Sequence, residues 1–210
     1  MHIYKPHINI SNDRILKTVL NTSPEEFQGW SNNMRSISLE LASEFFILHS
    51  NPFVDPEVVK NNVFSRLEEY TAFLGEEEAG FLYAGLSNFW QEYNKLLEHK
   101  EEIKSRLKEL LPEESIIDSP HALVQNATDA TGLIMELPLL VLFPDSTEQV
   151  QQMVLLAREL GFSIVPRGGG SGLTGGAVPA LRNSVILSIA KLKEIIEVDP
   201  ENQLLTAQAG

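Results

Sequence analysis

An α+β chain, a helical bundle followed by an alternating strand–helix domain, is what the sequence predicts. Three observations carry that prediction. Apolar residues in the first half recur at three- and four-residue spacing behind recognisable helix starts. From Leu139 onward the pattern changes to short apolar runs around one amphipathic helix. Glycine follows the same divide, 4 before position 111 and 9 after it, which assigns the turn-rich part to the second half.

The first helix start is Ser23-Pro24-Glu25-Glu26: Ser23 can cap, Pro24 suits the first helical position, and Glu26 can close a capping box. Asp55-Pro56-Glu57 repeats the device. Ile37, Leu41, Phe45 and Leu48 form one buried stripe, and Val59, Val63, Phe64 and Leu67 form another. A further helical stretch, one helix or two, runs from Glu76 to Leu111 and ends before Pro112. Its tail alternates charge along a solvated face that includes His99. Residues 11–111 thus read as four or five helices in a small bundle. The domains predicted are a helical one at 1–111 and a second at 112–210.

Residues 112–138 are a transition of turn formers and short apolar pieces. Leu139 to Phe143 is a continuous apolar run stopped by Pro144, which suits a strand buried on both faces. Asp145 is expected to cap the next helix, with Val150, Met153, Val154, Ala157 and Leu160 inward and Gly161 at its end. Phe162 to Val165 is the following strand, giving a βαβ-like unit with parallel strands. Ser184–Ile189 is another strand, and Ile195–Val198 and Leu204–Ala207 flank a turn at Asp199-Pro200-Glu201-Asn202.

Charge and composition remove several functions. With 16 basic against 29 acidic side chains the formal net charge is -13, which repels a phosphate backbone or an anionic membrane on average. Zero cysteines exclude disulfides, thiolate metal sites and a cysteine nucleophile within this sequence, and fit a reducing cytoplasm. No apolar stretch has the length of a membrane helix, and MHIYKPHINI has no apolar signal core, so neither a span nor a cleaved leader is expected. His2, His7, His49, His99 and His121 fit no metal motif and read as surface or half-buried residues. Glu76-Glu77-Glu78 reads as a solvated helix start. Phe45, Phe46, Phe81, Tyr83, Phe89, Trp90 and Tyr93 read as core, and Asp129 as a turn residue.

One stretch speaks of chemistry. Directly after a predicted strand come Pro166, Arg167, Gly168, Gly169, Gly170, Ser171, Gly172, Leu173, Thr174, Gly175 and Gly176. Glycines allow positive φ and close approach to the backbone, so successive amides can turn inward on an anionic oxygen, above all a phosphate. Ser171 and Thr174 add hydroxyl donors. A Walker loop requires a lysine that is missing, since no lysine lies between Lys108 and Lys191. Gly170-x-Gly172-x-x-Gly175 matches GxGxxG in letters, but that motif opens a helix, and here Ala177, Val178 and Pro179 lead to a strand. Arg167 either balances phosphate charge or makes a structural salt bridge.

PRGGGSGLTGGAVP, with LVLFPDSTEQVQQMVLLARELGFSIV before it and VILSIAKLKEIIEVDPENQLLTAQAG after it, resembles the FAD-linked oxidase family. This is the flavin fold of vanillyl-alcohol oxidase and p-cresol methylhydroxylase, the PCMH-type domain, and the likeness is strongest to the FAD subunit of glycolate oxidase and to D-lactate dehydrogenases. It runs from about Asn126 to Gly210 and includes the ATDATG segment. It implies that 112–210 form the first α/β subdomain, the N-terminal half, of a PCMH-type FAD-binding domain. It also implies an FAD pyrophosphate wrapped by Pro166–Gly172, Gly175 and Gly176, with Ser171 donating. Ser171 and Gly172 stand where some members carry a flavin-linking histidine, so non-covalent FAD is expected.

The family's FAD domain continues beyond the point matched by Ala209-Gly210, and a substrate-binding part usually follows. The resemblance therefore implies an N-terminal portion of a cytoplasmic flavin oxidoreductase. That flavoprotein would oxidise a 2-hydroxy acid of the D-lactate or glycolate type by hydride transfer to FAD. The helical first half is expected either to pack on the flavin domain or to dock another subunit, for example an iron–sulfur electron acceptor. No catalytic base is assigned within the 210 residues. The alternative is a helical interaction or assembly module joined to an inert half flavin domain.

Overall fold

The computed structural model describes residues 11–132 and 136–210. His2, His7 and the Leu133–Met135 piece of the transition lie outside the described residues. Two compact units are present, one over Asn9–Leu97 and one holding Glu98–Gly210.

The first unit consists of α1 (Asn12–Leu20), α2 (Pro24–Gln28), α3 (Asn32–Ser50), α4 (Pro56–Tyr70), a 3-10 turn at Thr71–Phe73 and the first part of α5 (Glu76–Leu107). The expected starts are observed. The Ser23 hydroxyl accepts from the Glu26 amide while Glu26 accepts from the Ser23 amide. The Asp55 carboxylate accepts from the amides of Glu57 and Val58. Glu76, Glu77 and Glu78 form the acidic first turn of α5, and Glu78 accepts from the Gly75 amide. Phe45, fully buried, is packed by Phe64, Phe89 and Trp90 with centroids 5.3–6.3 Å away. Both expected stripes are inward, with Phe64 only partly covered.

One alternative is decided and two readings need amending. Glu76–Leu107 is one helix of 32 residues, because its interior holds no proline and its two glycines lie at positions where the helix simply continues. Phe81 and Tyr83 are exposed rather than core. His49 is buried and stacked on Phe46 at 5.1 Å, since its place on α3 falls on the stripe next to Leu48.

The second unit has a four-stranded sheet in the order β1-β2-β4-β3. β1 (Ile116–Ile117) runs antiparallel to β2 (Val141–Leu142), and β2 and β3 (Ser163–Arg167) both run parallel to β4 (Ser184–Ser188). β2 and β4 are wholly buried, as a continuous apolar run requires in a central strand. The strands of the βαβ-like unit are parallel, but β4 lies between them. Leu123 of α6 (Pro120–Asn126) packs with Val141 and Ile186. The α+β class is borne out.

α7 (Thr147–Leu160) is capped by Ser146, not Asp145: the Ser146 hydroxyl accepts from the Gln149 amide, while the Asp145 amide donates to the Gln149 side chain. Its inward residues are Met153, Leu156 and Ala157, and Val154 is exposed. Gly161 ends it at φ 76°, as expected of a left-handed cap. Arg106, near the end of α5, grips Glu159 of α7 at 2.9 and 3.4 Å. β5 (Ile195–Asp199) and β6 (Leu204–Ala207) form a separate hairpin. Its turn is closed by Asp199, whose carboxylate accepts from Asn202 and Glu201.

Candidate functional site

β3 ends at Arg167, whose carbonyl accepts from the Ile189 amide at 3.0 Å, and the glycine loop begins at once. At the far side, the Val178 amide closes a turn on the Gly175 carbonyl at 3.1 Å. Buried Val178 and Pro179 anchor that end, and the Pro179 carbonyl accepts from the Glu136 amide. Both ends of the loop are therefore fixed.

Gly168, Gly169, Ser171, Gly172, Leu173, Thr174 and Gly176 are exposed. Among the described residues, no backbone hydrogen bond is donated by the amides from Gly168 to Thr174 or by that of Gly176. Eight amides in nine residues thus have no main-chain partner among the described residues, and seven of the nine residues are exposed. A Cβ added at Gly168, Gly172, Gly175 or Gly176 would meet nothing within 4 Å, so bare backbone borders open space there. Gly170 and Gly175 have φ of 66° and 74°, which side chains rarely adopt. Among the described residues no helix follows the loop before β4, so this is not the helix-backed arrangement of a GxGxxG motif.

Pro166 is the exposed fourth residue of β3. Arg167 turns inward: its Nη1 donates to the carbonyls of Thr128 at 2.8 Å and Ala177 at 3.4 Å. Its guanidinium lies across Gly170, where any Cβ would run into it. The Gly170 carbonyl in turn accepts from the Ala130 amide at 3.0 Å.

The 128–131 segment is thus part of the site. Asp129 is only 9% exposed, and one of its oxygens accepts from the Thr131 amide at 2.9 Å and from the Thr131 hydroxyl. These Thr131 hydrogen bonds hold its carboxyl below the ordinary aspartate range against the cost of burial, helped by the Arg167 charge and the Gly175 amide. Its other oxygen has no hydrogen-bond partner among the described residues. The turn role expected for Asp129 is present. Its link to the loop was not foreseen, and the ATDATG string was the only signal that could have pointed there.

Elsewhere the candidates are few. A cleft of about 260 Å³ in the bundle is lined by Leu20, Asn21, Thr22, Glu26, Trp30 and Phe81. Among the described residues no three His, Asp or Glu cluster as metal ligands, and no helix is long and apolar enough to cross a membrane.

Residues 138–210 match the family model described as an FAD binding domain. The glycolate oxidase subunit GlcD of Escherichia coli K12 is 33% identical over 104 residues, covering 50% of this chain and 21% of the relative. The mitochondrial D-2-hydroxyglutarate dehydrogenase of Arabidopsis thaliana is 29% identical over 106 residues, covering 50% and 19%. A structure of p-cresol methylhydroxylase with substrate bound aligns with a TM-score of 0.44 at 26% identity, covering 50% of this chain and 21% of that one. The chain spans about a fifth of the length of the curated relatives it matches. The resemblance read from the sequence is borne out for its C-terminal part, which carries an FAD-binding-domain sequence.

Proposed function

We propose that the loop from Pro166 to Gly176 holds the diphosphate of FAD non-covalently, and that this chain is the FAD-binding N-terminal part of a flavin oxidoreductase acting on a 2-hydroxy acid. The single observation that carries the reading is the row of exposed residues whose amides have no main-chain partner among the described residues, over bare glycine backbone. Amides in such a row are neutral donors with fixed dipoles, suited to a diphosphate in a chain whose net charge of -13 opposes anions at long range. The residues present therefore fit the group.

Each residue has a bounded task. The amides of Gly168, Gly169, Gly170 and Gly172 would donate to the diphosphate oxygens, and Gly175 and Gly176 would let them come close. Ser171 and Thr174, both exposed, would add hydroxyl donors. Arg167 would act from behind the loop, its Nη1 already engaged by two carbonyls. Bound FAD would supply acceptance of the hydride released from the hydroxyl-bearing carbon as the alcohol becomes a ketone or aldehyde. Residues 166–176 contain no histidine, which supports non-covalent attachment at this loop.

The named relatives, a glycolate oxidase subunit and a D-2-hydroxyglutarate dehydrogenase, support a 2-hydroxy acid as the substrate class. D-lactate or glycolate, an iron–sulfur electron acceptor and a cytoplasmic site belong to the same proposal. FAD titration of the purified chain tests its foundation, followed by flavin fluorescence and by melting temperature. A ligand binding only the folded state raises the melting temperature. Absence of both signals at saturating FAD would favour the assembly-module reading.

A further inference from the structure

We propose that Arg167 is a positioning residue which sets the glycine loop in its amide-presenting shape before any ligand arrives. The inference rests on the FAD reading above. Two carbonyls accept from the Arg167 Nη1, that of Thr128 at 2.8 Å and that of Ala177 at 3.4 Å. One belongs to the 128–131 segment and the other to the far end of the loop, so a single guanidinium ties both to the end of β3. Both acceptors are neutral, and no ion pair within 4.0 Å involves Arg167 among the described residues.

Gly170 completes the arrangement. Its positive φ and missing Cβ let the guanidinium lie across it, and its carbonyl is received by the Ala130 amide at 3.0 Å. Between Thr128 and Ala130 stands Asp129, buried, with one oxygen fixed by Thr131 and the other without a hydrogen bond among the described residues. A buried carboxylate oxygen left unpaired is costly unless positive charge or aligned dipoles face it. The Arg167 guanidinium and the Gly175 amide are the groups of the loop that favour its charge. The loop is tied at two points to the 128–131 segment, by Arg167 to the Thr128 carbonyl and by the Ala130 amide to the Gly170 carbonyl. Its remaining amides are left without main-chain partners among the described residues.

A group that only touched the ligand would leave the ligand-free loop unchanged when removed, whereas a positioning group would not. Hydrogen exchange in the ligand-free 210-residue chain separates the two, read at the Ala130 amide. Arg167→Met keeps much of the side-chain length and removes the donors. It should speed Ala130 exchange about tenfold or more, the scale of losing hydrogen bonds to a charged donor through local opening. Ile186, whose amide bonds the Leu140 carbonyl, should keep its protection. Gly170→Ala displaces the guanidinium from the other side and should give the same pattern. Combining the two should add little to Arg167→Met.

Unchanged Ala130 exchange in both Arg167→Met and Gly170→Ala overturns the proposal. So does equal loss of protection at Ile186 in both, which would make Arg167 a general stabiliser. An FAD titration keeps the two readings apart. If the parent chain binds no FAD while Ala130 still responds, the FAD reading falls and the internal brace stands. If the parent binds FAD and Arg167→Met binds it equally tightly with a loosened loop, the brace has no part in binding and the proposal falls.

Discussion

Leu20 and Gly85 meet so closely that a Cβ on Gly85 would lie 2.9 Å from the Leu20 Cδ2. Leu20, the last residue of α1, is buried and reaches the flank of α5 where that helix has no side chain. A glycine in mid-helix costs about 0.5–1 kcal/mol relative to alanine, and here the loss is offset by the contact it permits. Gly80, five residues earlier on α5, is exposed with nothing within 4 Å of its absent Cβ.

The two glycines should therefore respond differently to the same change. Gly80→Ala should raise stability by about 0.5–1 kcal/mol. Gly85→Ala should lose most or all of that gain, because Leu20 must leave its place in a packed site. Urea unfolding of both variants checks this. Equal stabilisation would show that Leu20 moves aside freely.

The start of α7 makes a similar contrast. Ser146→Ala should cost about 1 kcal/mol, the usual loss of a helix cap. Asp145→Ala should cost less, since the Asp145 contribution is its main-chain amide bond to Gln149, which alanine keeps. Thermal melts of the two variants decide between the two neighbours, and a larger loss at Asp145 would reverse the assignment.

That contrast shows what local pattern can and cannot carry. Ser146 and Asp145 are equally good caps on paper, and Glu148 suits either register. Only the handover from β2 to α7 selects Ser146. The stripe shifted for the same reason, with Leu156 buried and Val154 exposed, because the turning angle of a helix against a sheet is set by what it packs on. Caps with proline, at Ser23 and Asp55, were legible because the cap and the first helical position reinforce each other. The insertion of β4 between β2 and β3 was not, since strand order comes from pairings distant in sequence. In the loop, glycine spacing was visible at once. The ties from Arg167 to Thr128 and from Ala130 to Gly170 bridge about forty residues and leave no periodic trace.

Asp118 gives a pH dependence with a definite sign. Burial pushes its carboxyl upward, but the hydrogen bond from Lys104 at 2.6 Å and the charges of Lys100 and Lys104 outweigh it and hold the group below the ordinary aspartate value. The Lys104 ammonium is correspondingly held above its ordinary value, first by the same hydrogen bond. A carboxylate depressed on folding adds stability that is complete above the unfolded value of about 3.9 and disappears as pH falls through the lower folded value. Asp118→Asn should lower stability near neutral pH by about 1 kcal/mol or less, since the pair is partly solvated. The loss should vanish in acid. Denaturant melts at neutral pH and well below the aspartate range check it, and a constant difference across both would remove the ionic explanation.

Gly172 separates the needs of the fold from those of a ligand. It lacks a positive φ, is exposed, and an added Cβ meets nothing within 4 Å. By the criteria of the free chain, Gly172→Ala should be harmless, with stability unchanged within about 0.5 kcal/mol. Gly175, at φ 74°, should by contrast lose about 1 kcal/mol on becoming alanine, because only its backbone conformation objects. If the open backbone at Gly172 is where diphosphate oxygens approach, its new methyl occupies their place and FAD binding should weaken about tenfold or more, or 1.4 kcal/mol. Melting curves with and without FAD report both quantities from one sample. An alanine at 172 that leaves the FAD-induced shift intact would move the diphosphate away from this stretch of main chain. One that lowers stability without FAD would mean that the bare backbone serves the fold itself.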